Sequence, residues 1–401
     1  MLNPRLADLP DYAFPRLRAL LAGIKPGSVA VDMTIGEPRH GAPAFVADIL
    51  AREAPLYGKY PPIGGSAEWG QAVAEWLTRR YGLAAGMVTA DAHVLPVVGT
   101  REGLFSAIFV ATPPADGGPT PAVLLPNPFY QCYVGAAVAA GAEPIYVNAN
   151  RDTGFLPDFL AQPQDILDRV RAIYLCSPSN PQGAVADAEY LERLIAFVRE
   201  RDAVLLADEC YAEIYGDTPP TGALEVCARL AAARPDADPF RNVLVFHSLS
   251  KRSGLPGLRS GFIAGDVKLI AALRRFRSYI GPTMPLPIQA ASAAVWRDEA
   301  HVIANRQLYA EKFDLAESLL AGRLGFYRPA GGFFLWLEAG DGEQAAQTLW
   351  REAGVRVLPG GYLAADTARG NPGRAFIRVA LVDDLATTEK GLAGIRRVLA
   401  P

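Results

Sequence analysis

The sequence predicts an α/β fold: a mostly parallel seven-stranded sheet flanked by helices, plus a smaller α/β lobe. Three observations carry this reading. Between Val94 and Gly265 seven short apolar runs alternate with helical stretches, which is the pattern of a parallel sheet covered on both faces. Every polar candidate in that region follows the C-terminal end of a run, where such sheets bind ligands. The chain has 401 residues, 50% of them hydrophobic, enough for two lobes with large cores.

Composition excludes several classes. The net charge of −3 argues against a nucleic-acid surface, which carries a basic excess. No apolar run approaches the length of a bilayer span. The start of the chain lacks a basic-then-apolar signal pattern. Cys132, Cys176, Cys210 and Cys227 form no C-x-x-C pair, and the four histidines are scattered. The sequence therefore predicts a cytoplasmic chain with reduced thiols and no metal site.

Residues 1 to about 30 predict a helical arm. Residues 33–38 are short, apolar and broken by Gly36, as in a strand-to-loop turn. Residues 57–65 form a turn-rich loop with Tyr60 beside Pro61, and 67–81 an amphipathic helix. Residues 94–98 are a strand, after which Gly99-Thr100-Arg101 opens a helix. Unpaired N–H groups at such a start suit an anion, although a plain βα turn reads the same. A surface loop covers 112–121. The strand 122–125 runs into Asn127-Pro128-Phe129-Tyr130, and an aromatic there can lie on a planar ring or line a core. Strands follow at 142–147 and 172–176, the second ending in Ser179-Asn180-Pro181, a turn signal.

The strand 203–207 ends in Asp208. A carboxylate after five apolar residues needs a cation or strong donors if buried, or it caps a helix. Tyr211 is three residues on. Residues 225–239 predict an exposed helix and loop. The strand 243–246 leads to Ser248-Leu249-Ser250-Lys251, with Arg259 eight residues beyond the lysine. Glycines and Pro256 predict a loop there, not a helix. Phosphate suits the hydroxyls and the guanidinium. A carbonyl suits the lysine, which bonds it when the amine is neutral. Pyridoxal phosphate carries both groups on one ring, and this one cofactor can explain Asn180, Asp208, Tyr211, Ser248, Ser250, Lys251 and Arg259 together, where purely structural roles need a separate reason for each.

Beyond that loop come a strand at 262–265, a helix at 266–279 and a break at 281–287. A long helix at 289–321 enters the second lobe. Then follow a strand at 330–337, a helix at 342–353, a strand at 355–358, a strand at 375–381 and a closing helix at 383–399. Arg378 lies inside the apolar run 375–381. It needs either a carboxylate bound bidentately or an edge position where its head reaches water.

Ser248-Leu249-Ser250-Lys251 with Gly257-Leu258-Arg259-Ser260-Gly261 resembles the lysine segment of class I/II aminotransferases, pyridoxal-phosphate enzymes of fold type I. More narrowly, residues 3–6, 15–23 and 296–302 resemble the proteobacterial succinyldiaminopimelate aminotransferases. The resemblance implies roles residue by residue. Lys251 bonds the cofactor aldehyde and moves the substrate proton. Asp208 faces the ring nitrogen, Tyr211 and Asn180 the phenolic oxygen, and Tyr130 the ring face. Ser248, Ser250, Arg259 and the N–H groups of Thr100 and Arg101 hold the phosphate, joined by Tyr60 from a second subunit. Arg378 and Asn180 take the substrate carboxylate, and the Gly36 segment lies over it. It also implies a homodimer, an arm at 1–45, a large cofactor domain at 46–285, and a small domain at 286–401 built with the chain start. The substrates would be N-succinyl-LL-2,6-diaminopimelate and 2-oxoglutarate. The alternatives are a general aspartate, alanine, aromatic or kynurenine aminotransferase, or a carbon–sulfur lyase on the same fold.

Overall fold

The computed structural model describes residues 7, 9–231, 238–281 and 283–400. The motif at 3–6, residues 232–237 of the expected 225–239 segment, and Pro282 of the expected break lie outside the described residues.

The chain begins with helix α1 (Ala13–Leu20), strand β1 (Val31–Asp32) and helices α2 (Phe45–Arg52) and α3 (Ala67–Tyr81). A single turn, α4 (Ala90–His93), precedes β2 (Val94–Val97). Alternation then sets in, with α5 (Thr100–Ala111), β3 (Ala122–Asn127), α6 (Gln131–Ala139) and β4 (Glu143–Asn148). It continues through α7 (Gln164–Leu167), β5 (Val170–Cys176), α8 (Ala188–Glu200), β6 (Val204–Asp208), α9 (Ala223–Ala231) and β7 (Val243–Ser248). Next come α10 (Leu249–Arg252), β8 (Gly261–Gly265), α11 (Val267–Ile280), α12 (Leu286–Arg297) and α13 (Ala300–Leu320). The chain closes with β9 (Phe334–Glu338), α14 (Gly342–Ala353), β10 (Val355–Arg356), β11 (Leu358–Pro359), β12 (Phe376–Ala380) and α15 (Leu385–Leu399).

Seven strands form one sheet in the order β2-β8-β7-β6-β5-β3-β4. Strand β8 is antiparallel to both of its neighbours, and the other pairs are parallel. The side-chain period of two divides the strand residues between two cores. Leu205, Ala207, Val243 and Val245 pack with Trp76 of α3, Leu194 of α8 and Trp296 of α12. Val204, Leu206, Leu244 and Phe246 pack with Leu104 of α5, Tyr133 of α6 and Leu273 of α11. Apolar residues on both faces explain why these strands read as continuous apolar runs. A third core joins β9 and β12 to α13, α14 and α15. There β11, β12 and β9 form a small antiparallel sheet. Val31 and Asp32 pair in parallel with Val355 and Arg356, so the start of the chain joins its end.

Four local expectations change. The helix expected at 289–321 is two helices: Asp298 takes an extended φ of −90° and ψ of 121°, and its carboxylate accepts the His301 N–H at 3.1 Å. The extended residue breaks the helical run, and α13 starts anew at Ala300. Helix α12 packs on the core of the large sheet. The strand expected at 355–358 splits between two sheets. Helix α9 is half-covered rather than exposed, with Leu224, Val226 and Cys227 buried. Lastly, Lys251 sits in a helical turn, because Ser248 accepts the Ser250 N–H at 3.1 Å and caps it. Among the described residues no helix is long and apolar enough to cross a membrane, and no group of three or more His, Cys, Asp or Glu could hold a metal ion.

Candidate active site

A cavity of about 230 Å³ opens at the C-terminal ends of the central strands. Its lining includes Gly36, Thr100, Arg101, Tyr130, Asn180, Asp208, Tyr211, Lys251 and Arg378. A second space of about 350 Å³ continues from it past Ser248, Ser250 and Arg259. The expected residues thus converge, with one exception. Tyr60 is fully exposed and lines neither space.

Lys251 Nζ donates to the Gly36 carbonyl at 2.5 Å. Burial pulls its amine down to about 8 from the usual lysine range. A Cβ at Gly36 would stand 2.4 Å from the Phe334 ring, so only glycine allows this approach. Asp208 is 4% exposed. It accepts from the Tyr133 hydroxyl at 2.7 Å and the Cys210 N–H at 3.3 Å, and burial raises its carboxyl above the usual range. Asn180 donates to the Tyr211 hydroxyl at 3.5 Å and accepts from Arg378 at 3.1 Å. Burial pushes the Tyr211 phenol well up.

Arg378 is buried, with its guanidinium 4.3 Å from the Phe334 ring centroid. It donates to the Thr34 carbonyl at 2.8 Å, and its Nε has no partner. Burial lowers it to about 10. Among the described residues neither Arg378 nor Asp208 has an ion-pair partner. Each is therefore a buried charge awaiting an opposite one.

The second space is lined differently. Gly99 begins α5 with φ +85° and no side-chain cap, leaving N–H groups free for an anion. A Cβ there would meet the Arg259 guanidinium at 2.3 Å. Arg259 itself has φ +54° and donates to the carbonyls of Val98 at 3.0 Å and Pro256 at 2.9 Å. Ser248 Oγ lies 2.9 Å from Ser250 Oγ.

The family of class I and II aminotransferases matches residues 29–393. This chain belongs to it. Among the aminotransferases it resembles, an LL-diaminopimelate aminotransferase of Dehalococcoides mccartyi is 31% identical over 402 residues, 98% of this chain and 97% of that one. The 4-dedimethylamino-4-oxo-anhydrotetracycline transaminase OxyQ of Streptomyces rimosus is 34% identical, with 92% of each chain covered. An aminotransferase structure from Neisseria meningitidis is 39% identical with a TM-score of 0.92, covering 99% of this chain and 100% of that one.

Class I and II aminotransferases depend on pyridoxal phosphate, and this one is a pyridoxal-phosphate enzyme. The residues fit that group. Asp208 lacks a cation, which a protonated ring nitrogen supplies. The open start of α5 and the hydroxyls of Ser248 and Ser250 lack an anion, which a phosphate supplies.

Some site residues of this aminotransferase escaped sequence reasoning. Tyr133 holds Asp208 and stacks on Tyr174 with centroids 4.5 Å apart. Its place in the first turn of α6, just after Tyr130, gave no sign of that role. Cys210 and Phe334 gave no signal beyond their runs. The Arg101 side chain also lines the cavity and donates to the Tyr130 hydroxyl, whereas the sequence pointed only to its N–H.

Proposed function

We propose that this aminotransferase moves an amino group from N-succinyl-LL-2,6-diaminopimelate to 2-oxoglutarate. Arg378 carries the reading: a buried guanidinium, with no ion-pair partner among the described residues and lining the same cavity as Lys251, suits an α-carboxylate, and bidentate pairing satisfies both partners. Diaminopimelate as the donor skeleton is supported by the relatives named LL-diaminopimelate aminotransferase.

When bound, pyridoxal phosphate supplies an aldehyde that takes up the amino group and a ring that spreads the charge left at Cα. Arg378 and Asn180 hold the carboxylate and so orient the Cα–H bond. Lys251, with its amine pulled to about 8, accepts the Cα proton and returns it, as a general base and acid near neutral pH. Asp208 stabilises a proton on the ring nitrogen, and Tyr133 keeps that carboxylate in place. Asn180 and Tyr211 donate to the phenolic oxygen. Tyr130 covers the ring face. Thr100, Arg101, Ser248, Ser250 and Arg259 hold the phosphate, and the Gly36 segment covers the substrate.

In the same reading the enzyme is a cytoplasmic homodimer, and Tyr60 of the partner subunit completes the phosphate site. The full exposure of Tyr60 in the single chain supports this. The arm at 1–45, the large domain at 46–285 and the small domain at 286–401 belong to it too.

The names of the relatives equally favour unsuccinylated LL-diaminopimelate as donor. A donor panel with 2-oxoglutarate separates the readings. Succinylated substrate is expected to give the highest kcat/KM. Preference for the free diamino acid selects the second reading, and preference for aspartate, alanine or an aromatic amino acid rejects both.

A further inference from the structure

Residues 296–302 carried part of the narrower resemblance, yet they line neither space. They form the junction between α12 and α13; Arg297 pairs with Glu68 and Glu75 of α3, while Asp298, Glu299 and His301 face the Lys251 turn. Asp298 Oδ2 lies 2.5 Å from His301 Nδ1, and His301 Nε2 lies 2.8 Å from Ser253 Oγ. Arg252, 2% exposed, donates to Glu299 at 2.7 Å and to the carbonyl of Val295 at 3.0 Å. Asn305 Nδ2 lies 3.3 Å from the Arg252 carbonyl and 3.5 Å from that of Lys251. Its Oδ1 is 2.6 Å from His40 Nδ1, and His40 Nε2 is 2.6 Å from Lys312 Nζ.

Positions 298, 301, 305 and 312 repeat at intervals of three, four and seven, so they share one stripe of α13 and its lead-in. A half-buried polar stripe is poor value as glue, since well-packed apolar residues stabilise such a junction as well or better. What polar contacts add is direction: a hydrogen-bonded relay accepts one geometry where an oily contact accepts several. Here Asn305 reaches the carbonyls of Lys251 and Arg252, while His301 and Glu299 hold the side chains of Ser253 and Arg252. Interleaved with that stripe at the same three- and four-residue spacing, Tyr309, Phe313 and Ala316 pack into the core of the lobe that carries Arg378.

We propose that Asp298, His301 and Asn305, with the Arg252–Glu299 pair, are positioning residues that set the Lys251 turn relative to the Arg378 lobe. None of them touches the reacting atoms. They act through the peptide backbone, by denying the turn the small displacements that misalign an amine with its target; an error of about 1 Å reduces rates by about 100-fold. Neutral His301 donates from Nδ1 to Asp298 and accepts the Ser253 O–H at Nε2. Ser253 is the residue through which the relay grips the turn.

This inference rests on Lys251 as the reacting amine, and the test keeps the two apart. In the full-length holoenzyme, Ser253→Ala and His301→Phe are expected to speed amide hydrogen exchange at 249–255 about tenfold. They should shift the pH midpoint of the bound cofactor's visible absorbance by about half a unit, and lower kcat about tenfold with KM within about twofold. Ser253→Thr retains the hydroxyl and should restore all three. Should His301→Phe fail to fold, the more exposed Asp298→Asn carries the same expectations. Unchanged exchange and an unchanged midpoint in the variants overturn the proposal, as does a Ser253→Thr protein as impaired as Ser253→Ala. Borohydride labelling of a residue other than Lys251 in the unaltered enzyme overturns the lysine reading instead.

Discussion

The two ends of the site are built on opposite plans. At the end lined by Thr100, Ser248, Ser250 and Arg259, backbone N–H groups, hydroxyls and one guanidinium come from the ends of β2 and β7 and the start of β8, which are neighbours in the sheet. At the other end stands one buried arginine from β12, with Asn180 beside it. The first end spreads its grip over many modest donors. The second concentrates it in a single cation. Redundant donors tolerate loss, because each hydrogen bond contributes about 1 kcal/mol net and the others remain. A lone buried cation does not, because its ligand is left charged and unpaired.

Four measurements break or sharpen this contrast. Lys251→Ala lies between the two ends and should abolish the visible absorbance of the bound cofactor and reduce turnover about 10⁴-fold or more; retained turnover removes the chemistry from both ends. Arg378→Ala should raise KM for both oxo and amino acids and lower kcat/KM about 10²- to 10³-fold, read by steady-state kinetics. An effect below tenfold would mean that the carboxylate end is shared after all. The lysine itself supplies the third. Its folded pKa of about 8 is depressed, so the amine is protonated below that value and neutral above it. The rate of pyridoxal phosphate uptake by the apoenzyme should rise about tenfold per pH unit below 8 and level off above it, as stopped-flow absorbance would report. A rise continuing to pH 10 would show an amine that burial has not shifted. The smallest effect is expected for Arg259→Ala, about tenfold in cofactor affinity by equilibrium dialysis. A loss as large as that of Arg378→Ala would erase the distinction between the ends.

The same contrast marks what the sequence revealed. Helix α3 begins and ends where expected because its signals are local: Ser66 accepts the Trp69 N–H at 3.3 Å, and Gly82 ends it at φ +59°. Helix α14 behaves likewise, with Asp341 and Gly354 at its ends. The α12–α13 junction was invisible because apolar spacing continues across it while one carboxylate restarts the helix. The turn at Lys251 hid behind glycines and a proline that lie beyond it. Tyr133 and Cys210 carry no motif, so their closeness to Asp208 was not legible.

The seven apolar runs, the residues at their ends and the lysine segment already determined the layered sheet, the cofactor and the transferase chemistry. Continuous apolar runs and strand-end loops are written in neighbouring residues, so a single chain read in order displays them. The pairing of Val31 with Val355, the approach of Arg378 to Asn180 across 198 positions and the clasp of α13 on the lysine turn were decided only by tertiary structure. Those contacts join segments that share no local pattern, and burial of buried charge against distant backbone is a property of the packed whole.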